Sequence, residues 1–286
     1  MQHTTGSTIE LARKPPTLKA VDNTDWLKTA AIILVAVDHF GYFFVEHNEW
    51  WSVFGRLAAP SFFFLIGYAQ TRIVPFHWIW LAAILTVLDS WNNDWKWVPP
   101  NILFNLALIR FARPHVQILL QNRGWIALAF LVCAMFALLP IAGKIVDYGA
   151  EGWLWALFGL CQRMYVDCAS ALDARCGPPI PVASAHAKTQ GASVLRLLTC
   201  SLAAVAYIWG EQREYSFAHV HFVAFILGVG VLCLTLCRFR RAASPLQPPQ
   251  AVASTLRFIG RHTLEIYAIQ LAGSELLIKL VPSLAP

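Results

Sequence analysis

The 286 residues are 57% hydrophobic and only 13% charged, against about 25% charged residues in an average soluble chain, which excludes a freely soluble domain. Basic residues exceed acidic ones by six, yet they are spread over several short segments with no basic face or repeat. Nucleic acid is therefore excluded as a partner, and the lipid bilayer takes its place.

The first 25 residues are polar, with no apolar core and no small-residue cleavage site, so a short cytoplasmic tail is expected there and not a cleavable signal peptide. Apolar runs then follow, each near the roughly 20 residues that carry a helix across about 30 Å of hydrocarbon. They predict membrane helices over 26–45, 51–70, 73–90, 99–112, 125–140, 148–165, 194–209, 217–237 and 256–281. The pair Pro99-Pro100 suits a helix start, where the missing amide donor is harmless. Residues 166–193, rich in Pro, Ala, Gly and Ser, read as a flexible cytoplasmic connector. The expected fold is an all-α, polytopic integral membrane protein of about nine transmembrane helices, with one transmembrane domain over 26–286.

Charge alternates between the segments that join these helices. Glu46, Glu49, Asp89, Asp94, Glu211 and Glu214 fall on one side, while Arg72, Arg110, Arg113, Arg123, Arg238, Arg240 and Arg241 fall on the other. The basic side is expected to be cytoplasmic, which puts the amino terminus inside. Tryptophans such as Trp50, Trp91, Trp95 and Trp97 gather at the proposed outer ends as an interfacial belt. The cysteine spacing gives no CxxC pair, so neither a zinc site nor a redox dithiol is expected, and no metal is.

Polar groups inside the apolar runs carry the chemistry. The first run holds Lys28, Asp38 and His39, and the second holds Arg56. Lys28 and His39 are eleven positions apart, about 16 Å at the rise of a helix, so with Lys28 at the inner interface the imidazole lies in the outer half of the membrane. The second run passes back inward, which brings Arg56 to a similar depth. A charge in hydrocarbon turns toward a partner or a wet cavity, and Asp38 is the natural counter-ion for Arg56. Adjacent on a helix, Asp38 and His39 diverge by about 100°. Two readings stand together here. The trio locks two helices, and it forms a reactive centre in which the imidazole takes a proton from a nucleophile and the guanidinium holds an oxyanion. Farther on, Asn101 and Asn105 share one helix face and could line the same cavity, and Glu265 is expected to pair with Arg261 one turn earlier.

The runs DWLKTAAIILVAVDHFGYFF and FGRLAAPSFFFLIGYAQTR resemble the TraX family of conjugation-system membrane proteins. The later IGRHTLEIYAIQ resembles a Gly, polar, Ser/Thr-Leu-Glu-Ile-Tyr signature that this family shares with a wider group of membrane acyltransferases. Lys28, ten intervening residues and His39 also fit that group's basic-x10-His motif. Gln270 departs from it, because many relatives carry histidine after the Ile-Tyr pair. The resemblance implies a bacterial inner-membrane acyltransferase that takes an acetyl group from acetyl-CoA on the cytoplasmic side. It implies an acceptor at the outer face, foremost the amino terminus of a pilin subunit. It further implies His39 as the base, with Asp38 and Arg56 beside it. Lys28, Arg72, Arg113 and Arg261 are then candidate ligands for the phosphates of acetyl-CoA, and Asn101, Asn105 and Glu265 candidate acceptor-binding groups. An O-acetyl transfer to an envelope glycan would need the same residues. The rival class is non-enzymatic: a pilus-assembly scaffold, or a transporter that relays protons through Asp38, His39 and Arg56.

Overall fold

A computed structural model describes residues 20–45, 48–71, 73–173 and 182–281. Among them every regular element is a helix: α1 (Asn23–Phe44), α2 (Glu49–Gly55), α3 (Ala58–Tyr68), α4 (Phe76–Asn92), α5 (Ile102–Arg123), α6 (Trp125–Ile145), α7 (Gly149–Asp173), α8 (Val182–Tyr215), α9 (His219–Arg238), α10 (Gln250–Arg261) and α11 (Thr263–Leu280). Among the described residues, four segments are long and apolar enough to cross a membrane: Asn23–Phe44, Trp125–Ile145, Ala187–Tyr215 and His219–Arg238.

The differences from the expected spans have local causes. α1 starts three residues early because Asp22 and Asp25 form a reciprocal capping box at its amino end. The end of the polar tail is not loose. Val21 is buried, Ser244 N–H donates to its carbonyl at 2.9 Å, and Asn23 N–H donates to Ala242 at 3.0 Å, which ties the start of α1 to the segment before α10. The span expected over 51–70 is two helices, α2 and α3. Pro60 has no amide to donate four residues back and its ring crowds that carbonyl, so the helix breaks at Arg56. The released Arg56 carbonyl accepts the Tyr207 hydroxyl at 2.6 Å.

α5 continues well beyond the expected end at 112, through Pro114 to Arg123. The last span likewise divides, into α10 and α11, at His262. The connector expected over 166–193 is narrower, because α7 runs on to Asp173 and α8 already begins at Val182.

In lipid, helices gain little by hiding apolar surface from one another, so association rests on close packing and interhelical hydrogen bonds. The contact of α3 with α7 is of that kind: a Cβ on Gly67 would collide with the Ala156 carbonyl, and one on Gly159 with the Phe64 carbonyl. Phe63, Phe64, Trp155, Phe158, Tyr207 and Phe225 fill the core around this contact. The core thereby fixes α3 and α8 on either side of the break at Arg56.

Candidate active site

Asp38 and His39 lie in the last two turns of α1, and the break between α2 and α3 turns Arg56 toward them. Gly55 makes the approach possible, because a Cβ there would strike the Asp38 side chain. Arg56 Nε stands 3.7 Å from Asp38 Oδ1 and 3.8 Å from Glu211 Oε2, all three side chains being less than one-fifth exposed. Its Nη1 donates to the Tyr148 hydroxyl at 2.8 Å. The Tyr215 ring covers the guanidinium with its centroid 4.5 Å away, a favourable place for a desolvated cation. One cation therefore balances two carboxylates, half-buried Asp38 and buried Glu211, with Tyr148 as its hydrogen-bond acceptor.

Glu211, Tyr148, Tyr207 and Tyr215 are the members that sequence reasoning missed. Glu211 was expected in an outer loop; α8 continues to Tyr215 and carries it back into the bundle, where it is 3% exposed. The available signal was spacing: Tyr207, Glu211 and Tyr215 recur every four residues, a single helix face, and all three meet Arg56.

Asp38, His39 and Arg56 line one cavity of about 860 Å³, which opens beside Asn93 and Lys279. His39 lies between Tyr267 and Phe43, with ring centroids 5.6 and 6.2 Å away. Its Nδ1 has no hydrogen-bond partner among the described residues. Five carboxylates (Asp38, Asp89, Asp147, Glu214 and Glu275) face two cations, Arg56 and Lys279, in the lining. At the opposite end the lining is apolar, with Val35, Leu106 and Leu264.

The other expected site residues divide. Asn101 lines the cavity, but it caps α5, and its amide donates to the Ala82 carbonyl at 2.8 Å and the Thr86 hydroxyl at 3.1 Å. Asn105 does not line the cavity: it is completely buried and donates to the carbonyls of Asp147 (2.9 Å) and Gly149 (3.2 Å). Glu265 is also outside the lining, and its partner is His77, 3.2 Å away, not Arg261.

Two of the expected phosphate ligands have other partners. Lys28 Nζ donates to the Gly260 carbonyl at 2.7 Å, joining α1 to the end of α10. Arg113 is 5% exposed, with Nε donating to the Gly67 carbonyl at 2.9 Å and Nη1 to Gln117 at 3.0 Å. Both cations satisfy carbonyls that helix ends leave open. Arg261 is exposed at the end of α10, and Arg72 lies outside the described residues. Among the described residues, Lys28, Arg113 and Arg261 do not line the cavity.

Asp147 sits in the turn between α6 and α7. Burial pushes its carboxyl up to about 6 from an ordinary 3.8, against the opposing pull of Arg56. The folded protein then holds this proton more tightly than the unfolded chain, so the stabilising contribution of Asp147 is lost as pH rises from about 4 to about 6. Asp147→Asn is expected to flatten the thermal-melting profile over that window and to raise the midpoint at pH 7, by an amount equivalent to roughly 1–3 kcal/mol. An unchanged pH profile in melts of the purified variant would contradict the assignment.

An all-helical membrane protein with a carboxylate-rich cavity set around a buried arginine is the class that fold and site define. Residues 23–229 match the family model described as TraX protein. The chain belongs to the TraX family. It is 27% identical over 199 residues to Protein TraX of Escherichia coli, and 25% identical over 199 residues to Protein TraX of Escherichia coli strain K12, covering in each case 64% of this chain and 75% of the relative. It is also 28% identical over 134 residues to an uncharacterised protein of Rickettsia prowazekii (strain Madrid E), covering 44% of this chain and 50% of that one. No solved structure matches the chain.

Proposed function

We propose that the protein is a multi-pass acyltransferase of the bacterial cytoplasmic membrane. It moves an acetyl group from cytoplasmic acetyl-CoA to an acceptor on the other side, foremost the amino terminus of a pilin subunit. The observation that carries the reading is the chamber shared by His39, Asp38 and Arg56, which is open at one end of the bundle. An imidazole, a carboxylate and a buried guanidinium in one accessible space are the groups that acyl transfer needs.

In this reading His39 accepts a proton from the acceptor amine as the amine nitrogen attacks the thioester carbonyl. The C–N bond forms, the C–S bond breaks, and the proton passes from His39 to the departing thiolate of CoA. Arg56 faces the negative charge that develops on the carbonyl oxygen. A route through acetyl-histidine uses the same ring as nucleophile. The excess of carboxylates in the lining attracts a cationic amine more strongly than a neutral glycan hydroxyl and supports the amine as acceptor; the ammonium gives its first proton to solvent at the open mouth, and the neutral nitrogen then attacks.

The topology proposed is nine crossings with the amino terminus inside, α2 with α3 and α10 with α11 each counting as one. Its support is the distribution of charge. Arg123, Arg163, Arg238, Arg240 and Arg241 lie toward the end away from the cavity mouth, whereas Asp94, Asp147 and Glu214 lie toward it. Arg261, at the basic end, remains the phosphate ligand that this reading retains, together with Arg72. The donor thioester reaches His39 by parting the apolar floor at Val35, Leu106 and Leu264.

Acetyl-CoA tests the reading without any acceptor. At a concentration one hundred times its Kd it stabilises a protein that binds it by about 2.7 kcal/mol, so a clear rise in melting temperature in detergent is expected. No rise at saturation would favour a non-enzymatic scaffold.

A further inference from the structure

The turn between α6 and α7 is held in a conformation that its residues do not prefer. Tyr148 has φ 56°, in the left-handed region, where a bulky side chain is a genuine outlier. Such backbone persists only where surrounding contacts enforce it, and it gathers at functional sites. Here the enforcing contacts are visible. Asn105 reaches from the first turn of α5 and donates to the carbonyls on either side of Tyr148, those of Asp147 and Gly149. Asp147 N–H donates in turn to the Pro100 carbonyl at 2.9 Å. Phe63 and Tyr207 pack against the Tyr148 ring, with centroids 5.8 and 6.5 Å away.

The result of this enforcement is the position of one hydroxyl. Tyr148 lines the cavity with His39, and its oxygen accepts from Arg56 Nη1 at 2.8 Å. Among the described residues no acceptor takes the phenolic proton in return. Burial pushes the Tyr148 phenol well above its ordinary range, so that proton is retained at neutral pH. A phenol that accepts from a guanidinium and keeps its own proton is a polarised donor facing the chamber.

We propose, resting on the acyl-transfer reading, that Tyr148 is a catalytic residue whose O–H, with Arg56, donates to the oxyanion of the tetrahedral intermediate, and that Asn105 is the positioning residue that holds it there. In the step concerned, the C=O π pair moves onto oxygen as the acceptor nitrogen bonds to carbon, and Tyr148 and Arg56 donate hydrogen bonds to that oxygen without giving up a proton. When the C–S bond breaks, the pair returns to re-form C=O.

The test is steady-state acetyl transfer from acetyl-CoA to a peptide bearing a free amino terminus, with wild type, Tyr148→Phe, Asn105→Ala and the double variant in detergent micelles. Loss of one oxyanion donor lowers kcat by about 100-fold or more. Tyr148→Phe is therefore expected to lower kcat to that extent, with the KM for acetyl-CoA and for the peptide changed less than about two-fold, since only the transition state uses the hydroxyl. Asn105→Ala is expected to lower kcat as well, and the double variant to fall no further than Tyr148→Phe, because Asn105 acts through Tyr148. Losses that multiply in the double variant overturn the positioning role of Asn105. If Asn105→Ala does not fold, Tyr148→Phe alone decides the catalytic role. Tyr148→Phe turning over at the wild-type rate, in a preparation where His39→Ala is inactive, overturns the role of Tyr148 and leaves the acyl-transfer reading standing. A wild-type protein that transfers no acetyl group overturns both.

Discussion

His39→Ala is expected to lower the rate of acetyl transfer by about 10²–10⁴-fold, the range by which a positioned general base accelerates proton transfer. The effect belongs in kcat, because the imidazole acts on the acceptor proton and not on the nucleotide end of the donor. The fold is expected to survive. His39 is only partly buried, meets Tyr267 and Phe43 at ring distances of 5.6 and 6.2 Å, and leaves Nδ1 without a partner, so its removal strands no hydrogen-bonding group. His39→Gln, closer in volume, serves as the packing control and is expected to be equally inactive. Transfer at the wild-type rate in a well-expressed His39→Ala protein would remove the imidazole from the chemistry.

Arg56→Met is expected to cost about 3–5 kcal/mol of stability, the penalty for deleting one partner of a buried ion pair. The reason is geometric. Half-buried Asp38 and buried Glu211 approach the same guanidinium from 3.7 and 3.8 Å, and without it both carboxylates lose their cation. Tyr148 also loses its donor. Methionine keeps much of the aliphatic length, so the loss reports charge more than volume. Adding Glu211→Gln to Arg56→Met is expected to restore part of the melting temperature, by removing one of the two uncompensated charges. An Arg56→Met protein that melts with wild type, alone or paired with Glu211→Gln, would show that the buried cation is not balancing these carboxylates.

The sequence made the helices legible and left their interruptions hidden. Long apolar runs report only that a segment suits hydrocarbon, and they do so equally for a straight helix and for a broken one. The break at Arg56 needed Pro60 to be weighed against the carbonyl four residues back; the break at His262 has no comparably strong sequence marker. Asp38 with Arg56 was legible, because a charge at that depth demands a partner and the two runs pass each other there. Glu211 was not, because a carboxylate just beyond an apolar run reads as loop until the helix is known to continue to Tyr215. Lys28 and Arg113, candidate phosphate ligands on the resemblance, each donate to a backbone carbonyl. Depth and sign cannot distinguish a cation that waits for phosphate from one that caps a neighbouring helix, and here Gly260 and Gly67 supply the carbonyls. For Asn105, helical spacing gives the face of α5 but not the strained turn packed against it.

Transfer across a sealed membrane tests the central claim most directly. The protein is reconstituted into vesicles, those with the cavity mouth outward are selected, labelled acetyl-CoA is enclosed, and a peptide with a free amino terminus is supplied only outside. Label is expected on the external peptide with wild type and at background with His39→Ala. Equal labelling by the two proteins, or none by wild type while the enclosed donor remains intact, would contradict the account.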